Sequence, residues 1–261
     1  MSGALRRVRG LVRALVTRVG YDLVPRSKGA GPAIQKWPTD FEASDIDLCQ
    51  RVAPFTMTSP ERIYALRRAV RYVAEQGIAG AIVECGVWRG GSMMVVAQTL
   101  LDLSKRTHEL YLFDTFDGMP PPTTEDRDFH GTAAVDLLNR SARDSNMWGW
   151  SSIEQTRAAL YSIGYPREHI HFVAGRVEDT IPDRAPERIA LLRLDTDWYS
   201  STRHELIHLF PRLVTGGVII IDDYGHWQGA RKATDEYLAE HDAPLLLNRI
   251  DYTGRIAVKL R

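Results

Sequence analysis

The chain has only two cysteines, no excess of charge of either sign and no long apolar run. Cys49 and Cys85 fit neither a disulfide framework nor a thiolate metal site. Lysine plus arginine and aspartate plus glutamate each number 33, so no net positive charge indicates a nucleic-acid partner. No apolar run approaches the roughly 18 residues that span a bilayer. These absences predict a soluble, cytoplasmic protein without a transmembrane segment.

The first thirty residues are basic and amphipathic. Apolar residues recur at three- and four-residue steps between Leu5 and Val19, and the segment carries a single acid, Asp22. This spacing predicts a helix. Arg13 and Arg18 interrupt its apolar stretch, which argues against a signal peptide. We expect the helix to pack on the domain or on a second subunit, as a homodimer; weak contact with an anionic membrane surface is the alternative.

A glycine-containing linker at residues 27–32 separates this helix from the rest of the chain. We therefore predict an N-terminal segment of basic helix and linker or lid at residues 1–54, and one larger domain at 55–261. Within that domain, residues 117–150 are rich in proline, aspartate and tryptophan and show no clear periodicity. A loop of this length in a compact domain is typical of a lid, so we expect a lid insertion there.

Apolar runs of strand length alternate with segments of helix length from residue 60 onward. The runs are nearly continuous, which is typical of parallel strands covered on both faces. The pattern predicts an α/β fold: a doubly wound, mostly parallel seven-stranded sheet with helices on both faces and ligands beyond the carboxyl ends of the strands. The last two strands are expected to form an antiparallel hairpin at the edge. The predicted strands are residues 81–85, 110–114, 169–174, 190–195, 218–222, 244–247 and 256–260, and the predicted helices are 60–76, 92–104, 152–163, 200–213 and 229–241.

The first strand ends in a glycine turn that differs from the dinucleotide-binding fingerprint. Its spacing is Gly86-x-x-x-Gly90-Gly91 rather than GxGxxG, which argues against a dehydrogenase. Glu84 stands two residues before the first glycine. This arrangement resembles that of class I methyltransferases, whose cofactor is S-adenosylmethionine (SAM). We expect Gly86 to let the backbone approach SAM and Glu84 to help orient its ammonium group.

Two later strand ends fit the same ligand. Asp114, about thirty residues on, ends the second strand, where a carboxylate can accept hydrogen bonds from both ribose hydroxyls. Gly175, Arg176 and Val177 follow the third strand, where they would border the adenine. The alternative is that the glycines only make tight turns and that Asp114 caps a helix.

Acidic residues follow the fourth and fifth strands. Asp195 and Asp197 follow one strand, and Asp222 and Asp223 end the other. If these parallel strands are neighbours, about 4.8 Å apart, four carboxylates meet in one small volume, where their repulsion raises their pKa values. A divalent cation relieves this repulsion, and ligands that are oxygen only point to Mg²⁺. The alternative is that these acids cap the strands and the following helices.

Several motifs, together with the pair Thr56-Met57, point to one family. They are ECGVWRGGS at residues 84–92, FDTFDGMP at 113–120, DTDWYSST at 195–202 and GGVIIIDDYGHW at 216–227. Together they resemble the macrocin O-methyltransferase (TylF) family, whose members methylate sugars of macrolide and aminocoumarin antibiotics. The similarity runs from about residue 55 to the C terminus, so the basic helix inherits no role from it. The lid is poorly matched, which leaves the substrate open.

The resemblance implies a SAM- and Mg²⁺-dependent O-methyltransferase. Asp195, Asp222 and Asp223 would be metal ligands and Asp197 the general base; His226 is the alternative base because histidine titrates near neutrality. Residues expected at the SAM site are Met57, Thr58, Glu84, Gly86, Trp88, Gly90, Ser92, Asp114, Gly175, Arg176 and Val177. Residues expected at the acceptor are Tyr199, Trp148, Trp150 and Trp227, of which the two lid tryptophans either stack on sugar rings or only close the lid.

The implied reaction is O-methylation of a saccharide or glycosylated natural product. A sugar hydroxyl is a poor nucleophile, and Mg²⁺ stabilises the developing alkoxide while an aspartate takes the proton. The acceptor would be a sugar-containing small molecule or an oligosaccharide. Two alternatives stay open: a catechol-type small-molecule O-methyltransferase, and a non-catalytic module that binds SAM or a glycan.

Overall fold

The computed structural model describes residues 37–142, 145–243 and 245–260. The chain divides into residues 1–40 and 41–261. This division falls after Asp40, whereas the sequence analysis placed it after residue 54. The expected N-terminal helix and its linker lie outside the described residues. All that follows concerns the second unit, and no helix among its described residues is long and apolar enough to cross a membrane.

The centre of the second unit is a mixed seven-stranded sheet in the order β3-β2-β1-β4-β5-β7-β6. Strands β1 to β5 are parallel, whereas β7 and β6 run antiparallel at one edge. The predicted fold class is therefore confirmed; an antiparallel pair lies at the edge, but only its second strand coincides with a predicted one. The strands are β1 Ala81–Cys85, β2 Leu110–Asp114, β3 Ile170–Ala174, β4 Ile189–Leu194, β5 Leu213–Ile221, β6 Asn248–Arg249 and β7 Arg255–Val258.

Helices cover both faces of the sheet. The five helices expected from the sequence are present, each with ends within a few residues of the predicted ones. Three of the described helices were not predicted: one before residue 60, one inside the expected lid, and a short one directly after β3. The helices are α1 Ala43–Val52, α2 Pro60–Glu75, α3 Gly91–Asp102, α4 Ala134–Arg140, α5 Ile153–Tyr161, α6 Val177–Thr180, α7 Tyr199–Leu209 and α8 Gln228–Glu240.

The central strands are buried throughout, as their continuous apolar sequence predicts. Every residue of β1 and of β4 is buried. Their side chains pack with those of β2 and β5 in one core cluster that includes Phe113, Leu192 and Ile221. Burial of each such side chain stabilises the fold by about 1.5–3 kcal/mol. The sheet is therefore a rigid frame, and its carboxyl edge can hold polar groups in fixed positions.

Two sequence expectations need correction. Residues 245–247 are not a strand, because Leu245 and Leu247 pack against the core instead of pairing with a neighbour. The expected lid is not free of structure: Ala134 and Leu138 of α4 are buried against Trp198 and Trp227. The apolar residues of both segments serve tertiary packing, which periodicity over so few residues does not reveal.

Helix α2 begins at a capped turn that positions the start of the site. Ser59 is the N-cap, and its hydroxyl accepts a hydrogen bond from the backbone N–H of Arg62 at 3.2 Å. Pro60 occupies the first turn, where its missing N–H has no partner to lose. The Arg62 side chain is thereby directed toward the carboxyl edge of the sheet, where it pairs with Asp222.

Candidate active site

A cavity of about 420 Å³ lies at the carboxyl ends of β1, β2, β4 and β5. Its walls come from the turns after these strands, from the segment before α2 and from the expected lid. The glycine turn and Asp114 line the cavity, and so do the acidic residues after β4 and β5. Predicted site residues that line it are Met57, Thr58, Gly86, Trp88, Ser92, Asp114, Gly175, Arg176, Val177, Asp195, Asp197, Asp222, Asp223, His226 and Trp227; Glu84, Gly90, Trp148, Trp150 and Tyr199 lie outside its lining.

The glycine turn is shaped by contact with the next strand end. Gly86 has φ +81°, and a Cβ built on it would lie 1.9 Å from the backbone oxygen of Asp195. Glycine is therefore required here by the close approach of the turns after β1 and β4. The sequence analysis attributed this glycine to a ligand; the structure adds a packing reason that is sufficient by itself.

Asp114 ties the glycine turn to the end of β2. Its Oδ2 accepts hydrogen bonds from the backbone N–H groups of Val87 at 2.6 Å and Trp88 at 2.9 Å. Its Oδ1 accepts one from Phe116 N–H at 2.7 Å. Burial raises the pKa of Asp114 despite these bonds. Oδ2 thus accepts two hydrogen bonds, whereas Oδ1 has a second lone pair that remains an acceptor for a ribose hydroxyl.

A buried arginine on β4 joins the two halves of the site. Arg193 pairs with Glu84, with Asp195 Oδ2 at 2.8 Å and with Asp222 Oδ1 at 2.7 Å. It also donates a hydrogen bond to Thr58 Oγ1 at 3.1 Å. Burial raises the pKa of Glu84 to about 7, against the opposing effect of Arg193. The sequence analysis missed Arg193, although a charged residue inside a buried strand was a signal, since such a charge is almost always paired.

The acidic residues after β4 and β5 meet as the strand order requires. The register pairs Leu194 with Ile221, the residues before the two acidic turns. Asp195, Asp222 and Asp223 each offer an oxygen, and these oxygens lie within 4.8 Å of one another. Burial, together with the neighbouring carboxylates, raises the pKa values of Asp195 and Asp223 well above the usual range.

The donor set of this cluster fits a hard divalent cation. All three donors are carboxylate oxygens, and Mg²⁺ prefers oxygen ligands. Five carboxylates face two guanidinium groups in this network, so a formal excess of negative charge remains. Arg62 contacts Asp222 from the cavity side and Asp251 Oδ2 at 3.0 Å. The carboxylates of the network are Glu84, Asp195, Asp197, Asp222 and Asp223, and the guanidinium groups are those of Arg62 and Arg193.

Asp197 is held in an unusual backbone conformation beside this cluster. It has φ +66°, which non-glycine residues seldom adopt, and such strain clusters at functional sites. Its backbone N–H donates to Asp223 Oδ2 at 3.1 Å. Burial, followed by repulsion from Asp195, raises its pKa to about 7. Asp197 therefore combines access to the cavity with a pKa suited to proton transfer near neutrality.

Glu205 and Trp198, which the sequence analysis did not single out, support the turn that carries Asp197. Thr196 donates its hydroxyl hydrogen bond to Glu205 Oε1 at 2.9 Å. Glu205, on α7, is fully buried, and burial raises its pKa well above the usual range. On the other side, Trp198 is buried and its Nε1 donates to the backbone oxygen of Pro120 at 2.9 Å. The turn is thus held both by the domain core and by the expected lid.

The aromatic residues expected at the acceptor separate into two groups. Trp227 lines the cavity, is buried, and packs edge-on against Trp198 with ring centroids 4.9 Å apart. Tyr199 points elsewhere, since its hydroxyl donates to Glu236 Oε2 at 2.7 Å. The indole of Trp148 donates to Ser141 O at 3.2 Å, outside the cavity lining. Trp150 is half-exposed and also lies outside the lining.

His226 lines the cavity beside Tyr252, which is 56% exposed, and we call this solvent-exposed edge of the cavity its mouth. Burial lowers the pKa of His226, and its Nδ1 shares a 3.2 Å hydrogen bond with the hydroxyl of Tyr252. Tyr252 also lines the cavity and was not predicted. It lies between β6 and β7, and its place at the site depends on how that hairpin packs against the turn after β5. Local sequence gives no signal of this contact.

The strand order β3-β2-β1-β4-β5, with a glycine turn and an acidic cluster at its carboxyl edge, defines a Rossmann-like class I methyltransferase. Comparison with known proteins narrows this class. The chain belongs to the macrocin-O-methyltransferase (TylF) family, which matches residues 35–258.

Similar proteins include O-methyltransferases of Streptomyces and Micromonospora. The 8-demethyl-8-(2,3-dimethoxy-alpha-L-rhamnosyl)-tetracenomycin-C 4'-O-methyltransferase of Streptomyces olivaceus is 33% identical over 199 residues, which cover 76% of this chain and 73% of the relative. The mycinamicin III 3''-O-methyltransferase of Micromonospora griseorubida is 30% identical, over 76% of each chain. The solved structure of the O-methyltransferase NovP is 30% identical with a TM-score of 0.70, over 79% of this chain and 83% of that one.

Proposed function

We propose that the chain transfers the methyl group of SAM to a sugar hydroxyl of a glycosylated natural product, with Mg²⁺ as cofactor. One observation carries the proposal: the glycine turn, the three clustered aspartates and Asp197, whose pKa is raised, all line the same cavity. The relatives support the acceptor class, since the Streptomyces olivaceus enzyme is named for a rhamnosyl compound. The family membership supports O-methylation.

SAM would lie along the glycine turn. The methionine end would face Thr58 and the turn above Glu84, and Asp114 would accept hydrogen bonds from the ribose. Gly175 and its two successors would border the adenine at the other end of the cavity. This placement is supported because all of these residues except Glu84 line the same cavity. Glu84 would act on SAM through the glycine turn. SAM supplies an electrophilic methyl group on a sulfonium, so the protein has chiefly to position the acceptor oxygen in line with it.

Mg²⁺ would be held by Asp195, Asp222 and Asp223. When bound, the ion stabilises negative charge on an acceptor oxygen. Arg193, fixed from behind by Glu84, holds Asp195 and Asp222 in place without entering the cavity wall. Arg62 contacts Asp222 from the cavity side, so we expect it to shift or to share this carboxylate when the cation binds.

Asp197 would take the proton from the acceptor hydroxyl. Its carboxylate is the candidate base because it lines the cavity next to the metal ligands and has a pKa of about 7. His226 is the alternative base, but it lies at the mouth with one ring nitrogen already bonded to Tyr252. The strained backbone of Asp197 fixes the direction of its side chain, which favours proton transfer at one defined atom.

The test is a binding and transfer experiment on the EDTA-treated protein. Calorimetric titration with SAM and then Mg²⁺ should show binding of both, and labelled SAM should transfer its methyl group to glycosides and not to simple catechols. SAM binding without any effect of Mg²⁺ would remove the metal from the proposal. Transfer to catechols alone would replace the acceptor class, and binding of neither ligand would contradict the enzyme.

A further inference from the structure

An exposed aromatic cluster stands at the mouth of the cavity. It consists of Phe129, His226 and Tyr252, which we call the mouth cluster. Ring centroids lie 5.2 Å apart for Phe129 and His226, and 6.0 Å apart for the other two pairs. His226 and Tyr252 line the cavity, and Phe129 packs on both from outside. Three separate segments of the chain therefore bring their rings to one point.

The mouth cluster is held by backbone contacts. Asp128 Oδ1 accepts hydrogen bonds from the N–H groups of His130 at 2.9 Å and Thr132 at 2.8 Å, which makes a tight turn with Phe129 at its tip. This turn is bridged to the segment of His226 by the pairing of Asp128 with Trp227. Phe129, the residue of the mouth cluster that belongs to the expected lid, is thus held next to the turn after β5.

The third component is anchored in the same way. Gly225 donates its N–H to Thr253 O at 2.9 Å, and a Cβ on Gly225 would lie 2.0 Å from Tyr252 O. The turn before His226 and the hairpin that carries Tyr252 are therefore in close backbone contact. A fixed set of rings loses little conformational entropy when a ligand binds, which favours affinity.

The mouth cluster presents mainly apolar ring surface. Phe129 is 51% exposed and Tyr252 is 56% exposed, so neither ring is used to fill the core. The imidazole of His226 and the hydroxyl of Tyr252 share a 3.2 Å hydrogen bond, so the polar atoms of these two rings face each other. The rings are tilted by 59° to 74° and form a corner rather than a flat surface. Such a corner suits another ring system, through offset or edge-to-face contacts.

The size of the cavity determines what reaches this corner. Sites that enclose a drug-sized ligand have volumes of about 300–1,000 Å³. The cavity here, about 420 Å³, is near the lower limit and has to hold the methyl donor. A sugar at the acidic cluster would fill the cavity volume that the methyl donor leaves free. The group attached to that sugar would therefore extend out of the cavity at the mouth.

We propose that the mouth cluster binds the apolar aglycone of the acceptor, the ring system to which the methylated sugar is attached. This proposal rests on the proposed function, because it takes the acidic cluster as the place of the sugar. It makes Phe129 and Tyr252 residues that select among glycosides bearing the same sugar. The sugar-binding and aglycone-binding parts of the site are then separable by mutation.

The test compares two glycosides of one sugar, 4-nitrophenyl α-L-rhamnoside and methyl α-L-rhamnoside. Their dissociation constants are measured by calorimetry with S-adenosylhomocysteine and Mg²⁺ present, and their methylation with labelled SAM. Wild-type protein should bind the nitrophenyl glycoside about tenfold more tightly. The double variant Phe129→Ala/Tyr252→Ala should lose this preference and keep its affinity for S-adenosylhomocysteine. Tyr72→Ala, which removes a partly exposed tyrosine of α2 near the opposite end of β5, is the matched control and should keep the preference.

Equal affinities in the wild-type protein, including no measurable binding of either glycoside, would overturn the proposal. A preference retained in the double variant would overturn it as well. Failure of the proposed function would be recognised by a different result. The wild-type protein would bind the nitrophenyl glycoside more tightly and the double variant would not, but neither glycoside would be methylated. Methyl transfer to both glycosides with equal kcat/KM would support the function and contradict the aglycone site.

Discussion

Asp197 is the residue on which the proposed proton transfer depends most directly. Asp197→Asn keeps the shape of the side chain but removes the acceptor of the proton. We expect kcat to fall by about 10²–10⁴, the usual contribution of a general base. The dissociation constants of SAM and Mg²⁺, measured by calorimetry, should change little, because Asp197 is not among the proposed ligands. Asp136→Asn, an exposed carboxylate on α4, is the control and should keep full activity. Wild-type turnover in Asp197→Asn, or loss of its SAM binding, would contradict the assignment.

The pH dependence of the reaction distinguishes the two candidate bases. Asp197 accepts a proton only when ionised, and its pKa is raised to about 7. The value of kcat/KM should therefore rise with pH and then level off; because Mg²⁺ nearby favours the ionised carboxylate, this acidic limb should lie at or below about pH 7. His226→Gln should keep this acidic limb if Asp197 is the base. Disappearance of the limb in that variant would identify His226 as the base, and a limb near pH 4 would show that Asp197 is not perturbed.

Single residues show both the reach and the limits of sequence reasoning. Asp195 and Asp222 were predicted to meet if their parallel strands were neighbours, because such strands end at a common edge, and that rule needs no knowledge of side-chain packing. Tyr199 was placed at the acceptor because it follows the acidic turn, yet it begins α7 and its hydroxyl bonds to Glu236. Adjacency in the chain does not determine the direction of a side chain once a helix begins.

At the scale of elements, the site depends on contact between the turns after β1 and β4. Gly86→Ala would place a Cβ 1.9 Å from Asp195 O at a positive φ. We expect a loss of unfolding free energy of about 3 kcal/mol or more, from backbone strain and overpacking together. Urea denaturation measures this loss, and calorimetry should show weaker binding of both SAM and Mg²⁺.

Gly164→Ala is the matched control for this prediction. Gly164 also has a positive φ, +85°, but nothing lies within 4 Å of its added Cβ. Its substitution should cost only the backbone strain, about 1–2 kcal/mol, and should leave both ligands bound. Equal losses of stability in the two variants would mean that the contact between the two turns does not matter.

Helix α7 supports the acidic turn through Glu205. Glu205→Leu removes the acceptor of the Thr196 hydroxyl, and we expect a loss of stability of about 1–3 kcal/mol with a lower kcat. Glu205→Gln keeps an acceptor of the same shape and should restore most of both. If Thr196→Val is added to Glu205→Leu, the two losses should not add, because they remove one interaction. Full additivity, or the same activity in the Gln and Leu variants, would contradict this positioning role.

Elements far apart in the chain complete the site, and this explains what could not be predicted. The sequence analysis took the adjacency of β4 and β5 as a condition, and the sheet order shows that the two strands are neighbours. The packing of the hairpin with Tyr252 beside His226 depends on Gly225 and on backbone contacts between distant segments. Arg193 was visible in the sequence as a charge within an apolar strand, but its three carboxylate partners became apparent only from the folded sheet.

For the whole molecule, the proposed metal site would link Mg²⁺ binding to stability. Burial raises the folded-state pKa values of Asp195 and Asp223 above their unfolded values. Without metal, these groups therefore favour folding at low pH, and that contribution is lost as pH rises through the folded pKa values. In the proposed site, Mg²⁺ would bind the ionised carboxylates of the folded protein, so its effect on stability should grow as pH rises.

Thermal unfolding of the EDTA-treated protein with and without Mg²⁺ checks this link at pH 6 and pH 8. At pH 8, a Mg²⁺ concentration 100-fold above the dissociation constant should raise Tm by about 5–10 °C. The rise should be smaller at pH 6, where protons compete for the same oxygens. Asp223→Asn should abolish most of the rise, whereas Asp136→Asn should keep it. A rise that is independent of pH, or unchanged in Asp223→Asn, would place the cation elsewhere, because only ligation by these carboxylates couples the ion to their ionisation.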